Sequence, residues 1–173
     1  MGKARNINRI GKQLIIELEP WEYEHAYMVG MRRYTENWNK VDASYYNRSS
    51  MEEDRNAQPA SAICELAVAK YTNQYWHASV WDGRKHKKYK DMPDVGTNIE
   101  VRRVRTQSGP AVREKDLNRG LIIWGAELAD SEYRRVNLLG WIEAEKGYEI
   151  GIDRSGYKVI PKELLNKDWS EEE

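Results

Sequence analysis

The 173-residue chain carries 28 basic and 28 acidic side chains, so bulk charge makes no case for a polyanionic partner and any such case rests on where the charges lie. Its length supports one domain with a real core rather than two. A single cysteine excludes an internal disulfide, no run approaches the roughly 20 apolar residues of a membrane helix, and the polar start lacks a secretory signal's apolar centre, so a soluble, cytoplasmic protein is expected.

The first residues are basic, with Lys3, Arg5, Arg9 and Lys12 and no acid before Glu17. Gln13 to Leu18 is predicted as a short strand, and Pro20 falls where a first helical position tolerates a missing amide hydrogen. A helix over 20–38 should follow, with Trp21, Met28, Met31, Tyr34 and Trp38 forming one apolar stripe. Residues 39–57 show no clear period and are expected to be a loop, with a helical turn at Met51 to Arg55. Pro59 to Tyr71 is dense in helix formers and ends at Asn73, with Cys64 packed inside. Tyr75 to Trp81 reads as a strand closed by an Asp82-Gly83 turn. Further strands are expected near 87–92, 98–106, 120–127 and 133–144, with Gln107 to Gly120 an exposed loop around Gly109-Pro110. Tyr157 to Ile160 makes a last strand, Pro161 to Leu165 a helical turn, and Ser170 to Glu173 an acidic, frayed tail. This order predicts an α+β or mixed α/β fold, a central mixed sheet flanked by helices. One domain spans 1–173, with a helical extension over 1–57, a core over 58–106 and the tail at 170–173.

The chemistry concentrates in Pro93-Asp94-Val95-Gly96-Thr97-Asn98-Ile99-Glu100-Val101-Arg102. Side chains alternate faces along a strand, so Glu100 and Arg102 point one way and Ile99 and Val101 the other. Asp94 stands just before Gly96, where the chain can double back. Two oxygen ligands and a cation together suit a hard divalent ion and a phosphate. Glu65 lies on the helix among Ser61, Ala62, Val68 and Ala69, on a face that reads as packed. A carboxylate there needs a cation or donors, and the rival reading is a partly exposed glutamate. Arg84, Lys85, Lys87, Lys88 and Lys90 cluster without an acid and suit phosphate contacts, or else a solvated hairpin tip. Arg103 and Arg105 fall on the face opposite Glu100, where they would pair with acids or line the sheet edge. No Gly-rich phosphate loop, dinucleotide fingerprint or nucleophile elbow is present. His25, His77 and His86 are scattered, so a zinc site is not expected.

Glu65, Pro93-Asp94 and Glu100-Val101-Arg102 together resemble the PD-(D/E)xK phosphodiesterases, which include restriction endonucleases, junction resolvases and phage exonucleases. The similarity covers roughly residues 58–106. Leu138-Leu139-Gly140-Trp141-Ile142 is similar to outer strands of small phage and prophage nuclease-like proteins. The resemblance implies a restriction endonuclease-like fold and a metal-dependent deoxyribonuclease acting on DNA. It further implies Mg2+ or Mn2+ held by Asp94, Glu100 and Glu65 with help from the Val101 carbonyl, and catalysis shared by these acids and Arg102. A homodimer is a further possibility, as in the resolvases. The chain departs from the pattern at Arg102, which replaces the family lysine and does not give up a proton near neutral pH. That departure keeps open a catalytically inactive nuclease-fold protein that binds DNA or a protein partner, and a structural or host-inhibiting protein.

Overall fold

The computed structural model describes residues 7–10, 13–38, 48–81, 92–105, 108–130 and 132–170, with the backbone alone for 7–10, 38 and 48–54. The strands are β1 (Ile7–Ile10), β2 (Gln13–Glu17), β3 (Ile99–Arg103), β4 (Ala111–Val112), β5 (Ile122–Leu128), β6 (Arg135–Glu143), β7 (Ile152–Arg154) and β8 (Tyr157–Val159). The helices are α1 (Pro20–Trp38), α2 (Arg48–Thr72) and α3 (Ala144–Ile150).

A five-stranded sheet runs in the order β1-β2-β6-β5-β3. Its pairs are antiparallel except β3 with β5, which is parallel. The fold is thus the expected mixed sheet with helices packed on it. Strand β5 lies inside the sheet, between β6 and β3, and is buried on both faces over Ile123, Trp124, Gly125 and Ala126, as its nearly continuous apolar run requires. Alternation sends Trp124, Ala126 and Leu138 into one apolar cluster and Ile123, Leu139 and Ile142 into another. The first cluster is closed by α2 through Ile63, Cys64, Ala67 and Val68. The second is closed by the small sheet β4-β8-β7 and α3, through Val112, Ile160 and Ala144. Strand β3 ends the order, so among the described residues its outer edge meets no further strand of the sheet.

Several expectations change. Helix α2 begins at Arg48, so the second half of the expected loop over 39–57 is helical. Polar, weakly periodic residues can form helix when they continue a packed segment, because extending a helix costs far less than starting one. The boundary at residue 57 therefore falls inside a helix. Strand β2 and helix α1 belong to the main sheet and its cover rather than to an extension.

Helix α1 also turns a different face inward. Trp21 and Met28 are 67% and 66% exposed, whereas Glu22, Ala26, Gly30, Arg33 and Asn37 are buried. This face is chosen by α2. Lys70 of α2 donates to Glu22 at 2.7 Å, Arg33 pairs with Glu65, and Gly30 lets the helices touch, since a Cβ there would lie 2.2 Å from the Pro59 Cα. Tyr75 to Trp81 is not a strand. It makes one bridge, Trp76 with Val95, and Ala78 adopts a left-handed φ of 50° that breaks the extension.

The segment expected as an exposed loop over 107–120 contains β4 and a 3-10 turn at Glu114–Asp116, and Gly109, Pro110, Val112 and Asp116 are buried. No helix among the described residues is long and apolar enough to cross a membrane. Most of the predicted strand over 87–92 and the turn at 82–83 lie outside the described residues.

Candidate active site

Asp94 is placed by a tight reversal. Gly96 takes a left-handed φ of 59°, Ile99 N–H donates to the Val95 carbonyl at 3.1 Å, and Asp94 N–H donates to the Ile99 carbonyl at 3.0 Å. The turn is anchored to the segment after α2, where Gly96 N–H donates to the Tyr75 carbonyl at 2.8 Å and His77 N–H to the Asp94 carbonyl at 3.2 Å. Asp94 Oδ2 then accepts the Val101 N–H at 2.9 Å. Because a strand residue's amide and carbonyl leave on the same side, the Val101 carbonyl also faces the outer edge of β3, on the side of Asp94.

The predicted acids do come together. Glu65, Asp94, Glu100 and Arg102 all line one cavity of about 400 Å³. They reach it from different places. Glu65 comes from α2 on one face of the sheet, Asp94 from the reversal beside the outer edge, and Glu100 and Arg102 from the other face of β3, opposite Ile99 and Val101. Burial pushes the Asp94 carboxyl well above the ordinary aspartate range. The charges of Glu65 and Glu100 push it further, while the Val101 amide and Arg33 pull against them. Burial likewise raises Glu100, which Arg102 and Arg119 oppose and Asp116 and Glu65 reinforce.

Glu65 is 4% exposed and both its oxygens are engaged. Arg33 donates to them through Nη1 at 2.6 Å and Nη2 at 2.9 Å, and Trp76 Nε1 donates to Oε1 at 3.2 Å. Arg33 also donates from Nε to the Ser79 carbonyl at 2.7 Å and lies 5.7 Å from the Trp81 ring centre. Burial opposes the Arg33 charge, but Glu65 outweighs it and holds the guanidinium above its ordinary range.

Arg102 sits 3.8 Å from Glu100 and donates from Nη2 to Asp116 Oδ1 at 2.8 Å. Asp116, 1% exposed, accepts the Arg113 N–H on its other oxygen at 2.9 Å, which ties the 3-10 turn to the site. Arg103 does face the opposite side of β3, as alternation requires. Burial lowers its pKa there, and its Nε has no hydrogen-bond partner among the described residues.

Arg33 and Asp116 are site residues that the sequence reading missed. The only sequence trace of Arg33 is its place on the stripe Glu22, Ala26, Gly30, Arg33, Asn37, whose small residues mark a close helix crossing. Asp116 leaves no trace, because its partner Arg102 lies across a turn of the fold. Cys64 is buried, and burial pushes its thiol up to about 12, in keeping with a packing residue. Arg84, Lys85, Lys87, Lys88 and Lys90 lie outside the described residues.

Among the described residues no group of three His, Cys, Asp or Glu side chains is arranged to enclose a metal. The donors that would be left to hold a hard cation are Asp94, Glu100 and the Val101 carbonyl, since both Glu65 oxygens are engaged. The two carboxylates repel each other and stay raised despite Arg33 near Asp94 and Arg102 and Arg119 near Glu100, so further positive charge between them is favourable. A magnesium ion, which binds through one or two carboxylates and keeps several waters, suits such a set. Compared with family models, curated proteins and solved structures, the chain matches none.

Proposed function

We propose that the chain is a metal-dependent deoxyribonuclease that hydrolyses DNA phosphodiester bonds inside a cell. The observation that carries this reading is the meeting of Asp94 and Glu100, both raised by burial and by neighbouring acids, in a cavity also lined by Arg33 and Arg102. Asp94, Glu100 and the Val101 carbonyl would hold Mg2+ or Mn2+, and that ion, when bound, would supply polarisation of the phosphate and a more acidic water. Arg102, held by Asp116, offsets charge on the phosphorus oxygens as water adds and the ester oxygen leaves. Glu65 acts through its field, since its oxygens belong to Arg33 and Trp76.

A second reading, a nuclease-like protein that binds DNA or a protein without cutting, is favoured by one observation. The position of the family lysine is held by Arg102, which is tied to Asp116 at 2.8 Å, and a guanidinium is a poor proton acceptor. A cleavage assay separates the two, using linear duplex, circular single-stranded and four-way-junction DNA with magnesium or manganese, beside Asp94→Ala. Cleavage lost in the variant supports the nuclease and names its substrate. A folded wild type that cuts nothing overturns it in favour of the binder.

A further inference from the structure

Next to the acidic centre, the segment from Arg113 to Gly120 is pinned at several points. Asp116 closes its 3-10 turn through the Arg113 N–H, and the Arg113 guanidinium lies 5.4 Å from the Tyr157 ring centre. Asn118 N–H donates to Glu145 Oε1 at 2.8 Å, and the Asn98 side-chain amide donates to the Gly120 carbonyl at 3.2 Å. From this held backbone Lys115 and Arg119 project as exposed side chains, and both line the same cavity as Asp94 and Glu100. Of the two acids in the turn, Glu114 and Asp116, the buried Asp116 is already used, because both its oxygens are occupied by Arg102 and the Arg113 amide.

We infer that Lys115 and Arg119 form a strip that binds the backbone phosphates of a nucleic-acid strand on either side of the phosphate held over Asp94 and Glu100. This rests on the phosphodiesterase reading and adds to it the residues that seat the substrate. A small carboxylate ligand would meet the acidic centre as well as the cations and be repelled. A strand carries repeated phosphates, so one can occupy the centre with a metal while its neighbours meet the rim. The braced backbone means that little ordering of the segment is required on binding.

The test measures the affinity of short labelled single-stranded and duplex oligonucleotides across a range of sodium chloride concentrations. An Asp94→Ala parent is used with magnesium present, so that no strand is cut. Lys115→Gln/Arg119→Gln in that parent should reduce the slope of log affinity against log salt by about 1.8 on duplex and about 1.4 on single strands. Arg135→Gln, a cation beside Glu17 and Asp130 at the other side of the sheet, should leave the slope unchanged. A parent that binds DNA with the same slope in the double variant overturns the strip and leaves the nuclease reading standing. A parent that binds no oligonucleotide overturns the strip as well, and the wild type then decides the rest. Cleavage by the wild type preserves the nuclease reading, and its absence ends that reading too.

Discussion

Arg33 of α1 and Glu65 of α2, 32 residues apart, share a buried two-point ion pair at 2.6 and 2.9 Å. The pair fastens the two helices and fixes a carboxylate of the cavity that the strand motif does not carry. It also sets the field around Asp94, since both partners act on that carboxyl with opposite signs.

Arg33→Met leaves the Glu65 charge buried beside a single indole donor, and should cost about 3–5 kcal/mol of folding stability. Arg33→Met/Glu65→Met removes both charges and should recover most of that loss. Urea unfolding of the three proteins reads this directly. A single variant as stable as wild type would show that the pair is not closed in solution.

Asp94 and Glu100 are raised in the folded state. Folding therefore favours their protonated forms, and the unfolded chain binds fewer protons over the affected range. Their contribution to stability is fully present below the unfolded carboxylate range and is lost as pH rises through the raised values. Asp94→Asn should melt higher than wild type near neutral pH, with the gap closing as pH falls. Each kcal/mol corresponds to about 2–4 °C for a chain of this size. Parallel melting curves at all pH values would contradict the raised carboxyl.

On the nuclease reading, magnesium or manganese would relieve the same repulsion. At neutral pH, added metal should raise the melting temperature, by an amount equivalent to about 2.7 kcal/mol at one hundred times its dissociation constant. Asp94→Asn should lose that increment. Equal stabilisation of both proteins would place the ion elsewhere.

Arg102→Gln should lower kcat by about 10²–10³-fold with a small change in KM, if Arg102 stabilises charge that develops during the reaction. Asp116→Asn, which keeps the side-chain size and weakens the hold on Arg102, should give a smaller loss of the same kind. Steady-state cleavage of the preferred DNA measures both, and a pure KM effect would reassign Arg102 to ground-state binding.

Gly30→Ala tests the helix crossing. Its Cβ would stand 2.2 Å from the Pro59 Cα and 2.4 Å from the Pro59 nitrogen, both backbone atoms. The helices would have to separate, at about 1–3 kcal/mol, readable by thermal melting. An unchanged melting temperature would mean the crossing has slack.

What the sequence determined by itself was local. The alternation of Ile99, Glu100, Val101 and Arg102 sorted the faces of β3, Gly96 marked the reversal that places Asp94, and the apolar run after Pro59 marked the packed part of α2. These follow from period and backbone freedom within a few residues. The tertiary structure alone decided the partners. It turned the Arg33 face of α1 inward despite the tryptophan and methionine on its other side, because Gly30 and the charges of α2 match that face. It engaged both Glu65 oxygens and brought Asp116 under Arg102. Those contacts join residues on separate elements, so no period along the chain carries them, and the energy of pairing a buried charge exists only once the second element has arrived.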